Sequence, residues 1–210
     1  MGTPKNSAVT RAKIIEAAGQ LFAERGFKGV TVRDIVQKAD SHLSALNYHF
    51  KTKEALYHEV VLEACATASV SEQEKKLLLR LEPREALLLL TKEALRDYTR
   101  QSENNWQIVI INRECWEPSA VFNEVAQEYF KPETDFLAGI VGKIVDQPAD
   151  SLQVRFAVIS LFGLLETFGL YGHLIEAVAP GLQDHFQKKD RISKQLVHLV
   201  IEAASQSPRG

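Results

Sequence analysis

The chain has 210 residues and a mass of 23.5 kDa, enough for one large domain or two small ones. Its 45% hydrophobic and 25% charged residues exclude a mainly disordered state, and 11 glycines with 7 prolines exclude collagen-like or low-complexity architecture. The net charge of −2 gives no global sign of a nucleic-acid partner, but a total averages over any asymmetry along the chain.

Periodicity predicts helices from end to end. From Thr10 to Arg25, Ile14, Ala17, Ala18, Leu21 and Phe22 form one apolar stripe, and Gly26 supplies a stop. A short helix follows from Thr31, where Thr31 and Asp34 match a capping box. Asp40-Ser41-His42 breaks the chain. A third helix then runs from about Leu43 to Phe50, with Leu43, Leu46 and Phe50 facing inward. A fourth starts near Thr52, after the polar hinge Lys51-Thr52-Lys53. Residues 84–102, 104–116, 119–145, 150–175 and 189–206 also read as helix, about nine in all. Pro83, Pro118, Pro148 and Pro180 fall at starts or in gaps, while Pro132 lies inside 119–145 and predicts a kink or break there. No run shows sustained alternation, so the expected class is all-α.

The 150–175 segment is apolar nearly all round, which requires burial on every side. Its own core would cover one side and a second copy the other. Ser160, Gly163, Leu164 and Thr167, with Leu196, Leu199 and Val200 on the last helix, are the candidate homodimer interface. The longest wholly apolar stretch, Ala157–Leu165, is shorter than the about 20 residues a bilayer span needs, and the N-terminus lacks an apolar signal core. A cytoplasmic protein with no membrane partner is expected. Cys65 and Cys115 form no metal-type pair, so no metal or disulfide framework is expected.

Charge divides sharply. Residues 1–53 hold nine basic residues against four acidic ones, net +5, which leaves −7 on the remainder. That is the footprint of a nucleic-acid module joined to another body. A short helix, a tight turn and a second short helix make a helix-turn-helix, whose second helix enters the major groove. The outward residues of that helix, His42, Ser44, Ala45, Asn47, Tyr48 and His49, are mostly hydrogen-bonding. With no Arg or Lys among them, bidentate reading of guanine is closed to this helix. Asn47 can pair with adenine, and Leu43 or Ala45 can touch a thymine methyl. Lys28, Arg33, Lys51 and Lys53 lie around it and suit phosphate clamping.

Leu21-Phe22-Ala23-Glu24-Arg25-Gly26-Phe27, Thr31-Val32-Arg33-Asp34-Ile35-Val36 and Leu46-Asn47-Tyr48-His49-Phe50-Lys51-Thr52-Lys53-Glu54-Ala55-Leu56 together resemble the N-terminal domain of TetR-family transcriptional regulators, over about residues 10–57. The resemblance implies a homodimer that binds a palindromic double-stranded DNA operator and releases it when a small molecule enters the C-terminal domain. It assigns Ser41, His42, Ser44, Asn47, Tyr48, His49 and Lys53 to DNA contact, with Thr31 and Arg33 at the start of the preceding helix. The chain departs from the family where Ala39-Asp40-Ser41 replaces the usual Ala-Gly-Val. Asp tolerates the left-handed turn, and Ser41 is expected to cap the recognition helix. Asn47 stands where many members have Tyr, which favours base reading there. Arg113-Glu114, followed by Pro118-Ser119, resembles a stretch of one C-terminal subclass.

The division expected is residues 1–51 for DNA binding and 52–210 for effector binding and dimerisation. Trp106, Asn112, Arg113, Trp116, Phe122, Phe162, Phe168, Tyr171 and His173 are the candidate pocket for a hydrophobic or aromatic effector, with Arg113 favouring an anionic group if it faces the cavity. The expected function is a ligand-responsive transcriptional repressor. The competing readings are an all-helical enzyme, or a protein-binding adaptor with an incidental basic segment. Against an enzyme, the chain has no P-loop, dinucleotide fingerprint, His-Glu-x-x-His or Gly-x-Ser-x-Gly, and its six histidines are scattered. No cofactor is expected.

Overall fold

The N-terminal stripe belongs to a helix longer than the stripe itself. In the computed structural model, which describes residues 4–100, 106–182 and 189–206, helix α1 spans Pro4–Arg25. All five stripe residues are buried. Gly26 ends the helix with a left-handed φ of +72°, and its N–H donates to the Phe22 carbonyl at 2.8 Å. Helix α2 (Val32–Lys38) opens on the expected capping box. The Asp34 N–H donates to Thr31 Oγ1 at 3.2 Å, and the Thr31 N–H donates to the Asp34 carboxylate at 2.8 Å. Helices α3 (Leu43–Phe50) and α4 (Lys53–Ala68) follow, and Thr52 Oγ1 caps α4 by accepting from the Ala55 N–H.

Helix α5 (Glu72–Leu78) has no counterpart in the sequence reading, although Ser71 and Glu74 form a second complete capping box at its start. Helices α6 (Pro83–Arg100) and α7 (Trp106–Trp116) match the predicted pair. Residues 101 and 102 of the first, and 104 and 105 of the second, lie outside the described residues, as does His185. The predicted 119–145 helix is broken into α8 (Phe122–Val125), a π-helical turn (Ala126–Phe130) and α9 (Lys131–Val145). Pro132 is the cause: it lacks an N–H, and its ring crowds the carbonyl four residues back, so the wide turn ends just before it. The predicted 150–175 helix becomes α10 (Leu152–Leu170) and α11 (Gly172–Val178), and α12 spans Lys189–Ser205. Among the described residues there is no strand, so the chain is all-α.

The helices pack as two compact units. Met1–Ser69 with Asn104–Tyr129 make the first, and Val70–Glu103 with Phe130–Gly210 the second. These packing units cut the chain elsewhere than the 51/52 division drawn from charge. In the first unit, α7 lies against α1 and α4, and the core holds Ile14, Phe22, Ile35, Leu46, Leu56 and Ile110. In the second, α10 packs along α6, α9 and α12 around Leu87, Ile140, Val158, Leu161 and Leu196.

Helix α10 is not covered all round within this chain. Val154, Ala157, Val158, Leu161 and Leu165 are buried, but Phe156 is 67% and Ile159 58% exposed, in line with exposed Leu152, Gly163 and Thr167. That excludes a fully buried central helix. It also corrects part of the predicted interface: Leu196 and Val200 lie in the unit's own core, out of reach of a second copy, while Leu199 is exposed. Ser160 and Leu164 are half-buried. By length and composition alone, Leu152–Leu170 is long and apolar enough to cross a membrane, more than the Ala157–Leu165 stretch suggests.

Candidate nucleic-acid interface

The interface is built on the turn between α2 and α3. Asp40 adopts φ +47°, the left-handed conformation that a glycine normally supplies, and the Ser41 N–H donates to the Val36 carbonyl at 2.9 Å. The turn therefore forms as expected with Asp in the glycine position. Asp40→Val should cost about 1–2 kcal/mol, because a β-branched residue cannot relax there. Asp40→Gly should stay within about 1 kcal/mol of the wild type, relief of strain being offset by the freer unfolded chain. Urea denaturation distinguishes the two; equal stabilities would mean that the turn re-forms with another geometry.

The cap of α3 differs from expectation. His42, not Ser41, is the N-cap, and its side chain makes no capping hydrogen bond. Leu46 and Phe50 are buried as predicted, but Leu43 is 51% exposed. At the first helical position Leu43 points away from the core, on the side that carries Ser44 and Asn47. Ser44, Asn47 and Tyr48 are exposed, and His49 is half-buried with its ring 5.1 Å from that of Tyr48. The outward face thus carries a hydroxyl, an amide, a phenol and an apolar side chain, the inventory needed to read base edges and thymine methyls.

Lys28, Arg33 and Lys51 are exposed around this face. Thr31 is exposed too, with its hydroxyl donating to Asp34 at 2.7 Å. Hydrogen bonds from the Thr31 side chain and backbone hold the Asp34 carboxyl below its ordinary 3.8, so the box is intact at neutral pH. Lys53 is placed differently. Its ammonium donates to the Phe27 and Val30 carbonyls, both at 3.0 Å, and lies 4.2 Å from the centre of the Phe27 ring. Two of its three protons are therefore spent on the loop between α1 and α2.

The predicted pocket residues divide between the packing units. Trp106, Asn112, Arg113, Trp116 and Phe122 belong to the first; Phe162, Phe168, Tyr171 and His173 belong to the second. Trp106 is buried, its indole N–H donating to Glu16 at 2.9 Å. Arg113 donates to the Ala23 carbonyl at 3.2 Å rather than into a cavity. Asn112 and Phe122 are half-buried, and Trp116 is 77% exposed. Phe162 and Phe168 pack against the core of the second unit, while Tyr171 and His173 are exposed. Sequence reasoning missed the partners of this region: Tyr57 donates to Glu114 at 2.6 Å, and Glu114 is 1% exposed. Residues 57 positions apart leave no local signal of pairing.

Comparison with known proteins places these features. Residues 14–60 match the family "Bacterial regulatory proteins, tetR family", and residues 83–204 match "HTH-type transcriptional dual regulator CecR, C-terminal domain". The HTH-type transcriptional repressor KstR2 of Mycolicibacterium smegmatis is 41% identical over 59 residues, 28% of this chain and 29% of that protein. The chain thus aligns with under a third of that relative's length. A putative TetR-family transcriptional regulator from Mesorhizobium loti superposes over 96% of this chain and 98% of its own, with TM-score 0.63 and 19% identity. A putative fatty acid metabolism regulator of Clostridium perfringens does so over 91% and 97%, with TM-score 0.64 and 20% identity. These two share the fold. With a tetR-type N-terminal module followed by a CecR-type C-terminal domain over more than half its length, the chain belongs to the TetR family of bacterial transcriptional regulators.

Proposed function

We propose that this chain is a homodimeric, DNA-binding transcriptional repressor of the cytoplasm. In this reading residues 1–51 carry the operator contacts, and 52–210 carry the dimer face and the response to a small hydrophobic or aromatic effector. The observation that carries the reading is the α2–turn–α3 pair, whose outward face of Leu43, Ser44, Asn47 and Tyr48 is flanked by Lys28, Arg33 and Lys51. Phosphate contacts from the flanking cations and from Thr31 would fix the register, while Asn47 would read adenine. His42, His49 and Ser41 lie at the edge of the same surface. Lys53 contributes by holding the loop that leads into α2, with one proton left for phosphate. Dimerisation, for which the exposed α10 face and the exposed Leu199 are the candidates, would give two recognition helices per molecule, and a palindrome with half-sites one DNA turn apart is the matching operator.

A gel shift with DNA flanking the protein's own reading frame tests the reading, with a scrambled duplex as control. Sequence-specific retardation at physiological salt is expected, and equal retardation of both duplexes would refute it. Asn47→Ala should lose about 1–3 kcal/mol on the specific duplex and nothing on the scrambled one. Equal losses on both would make Asn47 a phosphate contact. For the effector, calorimetric titration with a panel of small apolar compounds should find one that binds and weakens the shift. A panel without such a compound would remove the ligand-responsive part of the reading and leave the DNA-binding part standing.

A further inference from the structure

The loop of residues 26–31 joins α1 to α2 and ends on the cap that starts α2. It sets where α2, and α3 behind it, stand against α1. Two cations from other helices hold it. Lys53 of α4 takes the Phe27 and Val30 carbonyls. Arg113 of α7 takes the Ala23 carbonyl in the last turn of α1, and its guanidinium crowds the left-handed Gly26, so closely that a Cβ at Gly26 would lie 2.5 Å from it.

The two anchors are joined. Tyr57 follows Lys53 by one turn of α4, and its ring meets Phe22 and Phe27 edge-on, with centroids 5.2 and 5.1 Å away. Its hydroxyl ends on Glu114, the neighbour of Arg113. Burial, and then the hydrogen bond to Glu114, raise the Tyr57 pKa and keep that proton in place. Glu114 also accepts from the Ser119 N–H at 3.1 Å and hydroxyl at 2.8 Å. A buried carboxyl with three donors has one satisfied position, so α7 cannot turn or slide against α4 without leaving polar groups unpaired. Neither Arg113 nor Glu114 lies on the α3 face.

We propose that Arg113 and Glu114 are positioning residues for DNA binding, which from α7 fix the α1–α2 loop and so the presentation of α2 and α3 to the major groove. The inference rests on the DNA-binding reading. The probe is the duplex that the wild-type chain selects from a random-sequence pool, with its scrambled version as control. Arg113→Met and Tyr57→Phe should each weaken binding to the selected duplex by about tenfold, the size of one hydrogen bond to a charged group. Binding to the scrambled duplex and the salt dependence should not change, because no phosphate contact is lost. Arg113→Lys, which can still donate to Ala23, should regain most of the loss. Amide exchange at residues 26–31 should quicken in both damaging variants.

Folded variants that bind the selected duplex like the wild type would overturn the proposal. So would a parallel loss on both duplexes with a shallower salt slope, which would make Arg113 a phosphate contact. Should Arg113→Met not fold, Tyr57→Phe, which keeps the ring packing, decides alone. A wild-type chain that selects no sequence would overturn the DNA-binding reading itself, and this inference with it.

Discussion

Ile159→Asp is expected to turn the chain into a folded monomer that no longer retains a palindromic duplex. Ile159 is 58% exposed on one copy and sits between Phe156 and Gly163 along a single face of α10. A continuous apolar face of this kind, left uncovered on one copy, marks a contact surface. In a two-fold contact each Ile159 meets the same patch of the partner, so the substitution buries two like charges at once. The effective penalty is several kcal/mol per ion, enough to dissociate a micromolar dimer. Within one copy the change is mild, because the site is solvated and aspartate costs an exposed helix about 0.5 kcal/mol. Sedimentation equilibrium and circular dichroism would separate the effects, with helicity retained and mass halved. A variant that stays dimeric would move the interface off α10.

Trp106→Ala should remove about 3–5 kcal/mol of stability, the range for deleting a large buried aromatic side chain. The indole is buried against Gly19 of α1, where an added Cβ would lie 2.5 Å from its ring carbons, and its N–H is spent on Glu16. The cavity would open between α1 and α7. Against a total of about 5–15 kcal/mol for a domain, such a loss is severe. Trp116→Ala, ten residues on but 77% exposed, should change stability by no more than about 0.5 kcal/mol. Urea denaturation with unchanged slope would check both. A Trp106→Ala loss below about 1 kcal/mol would mean the site is loosely packed, as a ligand cavity is.

Local physics explains what could be read from the chain. The stripe from Ile14 to Phe22, the Thr31–Asp34 box and the Gly26 stop each depend on residues within one or two helical turns, and each occurs; at Pro132 the expected kink or break takes the form of a π-helical turn within a continuing helical run. Helix α5 was equally legible from Ser71 and Glu74, but its apolar content is too slight to register as a stripe. Leu43 followed the inward spacing yet lies at the first helical position, where the chain has not reached the core. Leu196 and Val200 lie on the core side of the last helix, and the face a helix gives to its own core cannot be told from the face it gives a partner when both are apolar. The roles of Lys53, Trp106, Arg113 and Glu114 were out of reach. Apart from the Ser119 bonds to Glu114, their partners lie 23 to 90 residues away, and no periodicity records such a pairing.

The first packing unit is assembled from two pieces, Met1–Ser69 and Asn104–Tyr129, and this has a consequence for biosynthesis. Ile110, Glu114 and Val125, which complete the underside of α1 and α4, emerge only after the intervening residues 70–103. At about 5–20 residues per second, the 60 residues from Ser69 to Tyr129 take roughly 3–12 s to make. For that interval Tyr57 lacks Glu114, its hydrogen-bond partner, and Gly19 lacks the Trp106 indole that packs on it. A chain ending just after α4 is therefore expected to be less stable than the whole unit and to expose apolar surface that α7 and α8 otherwise cover.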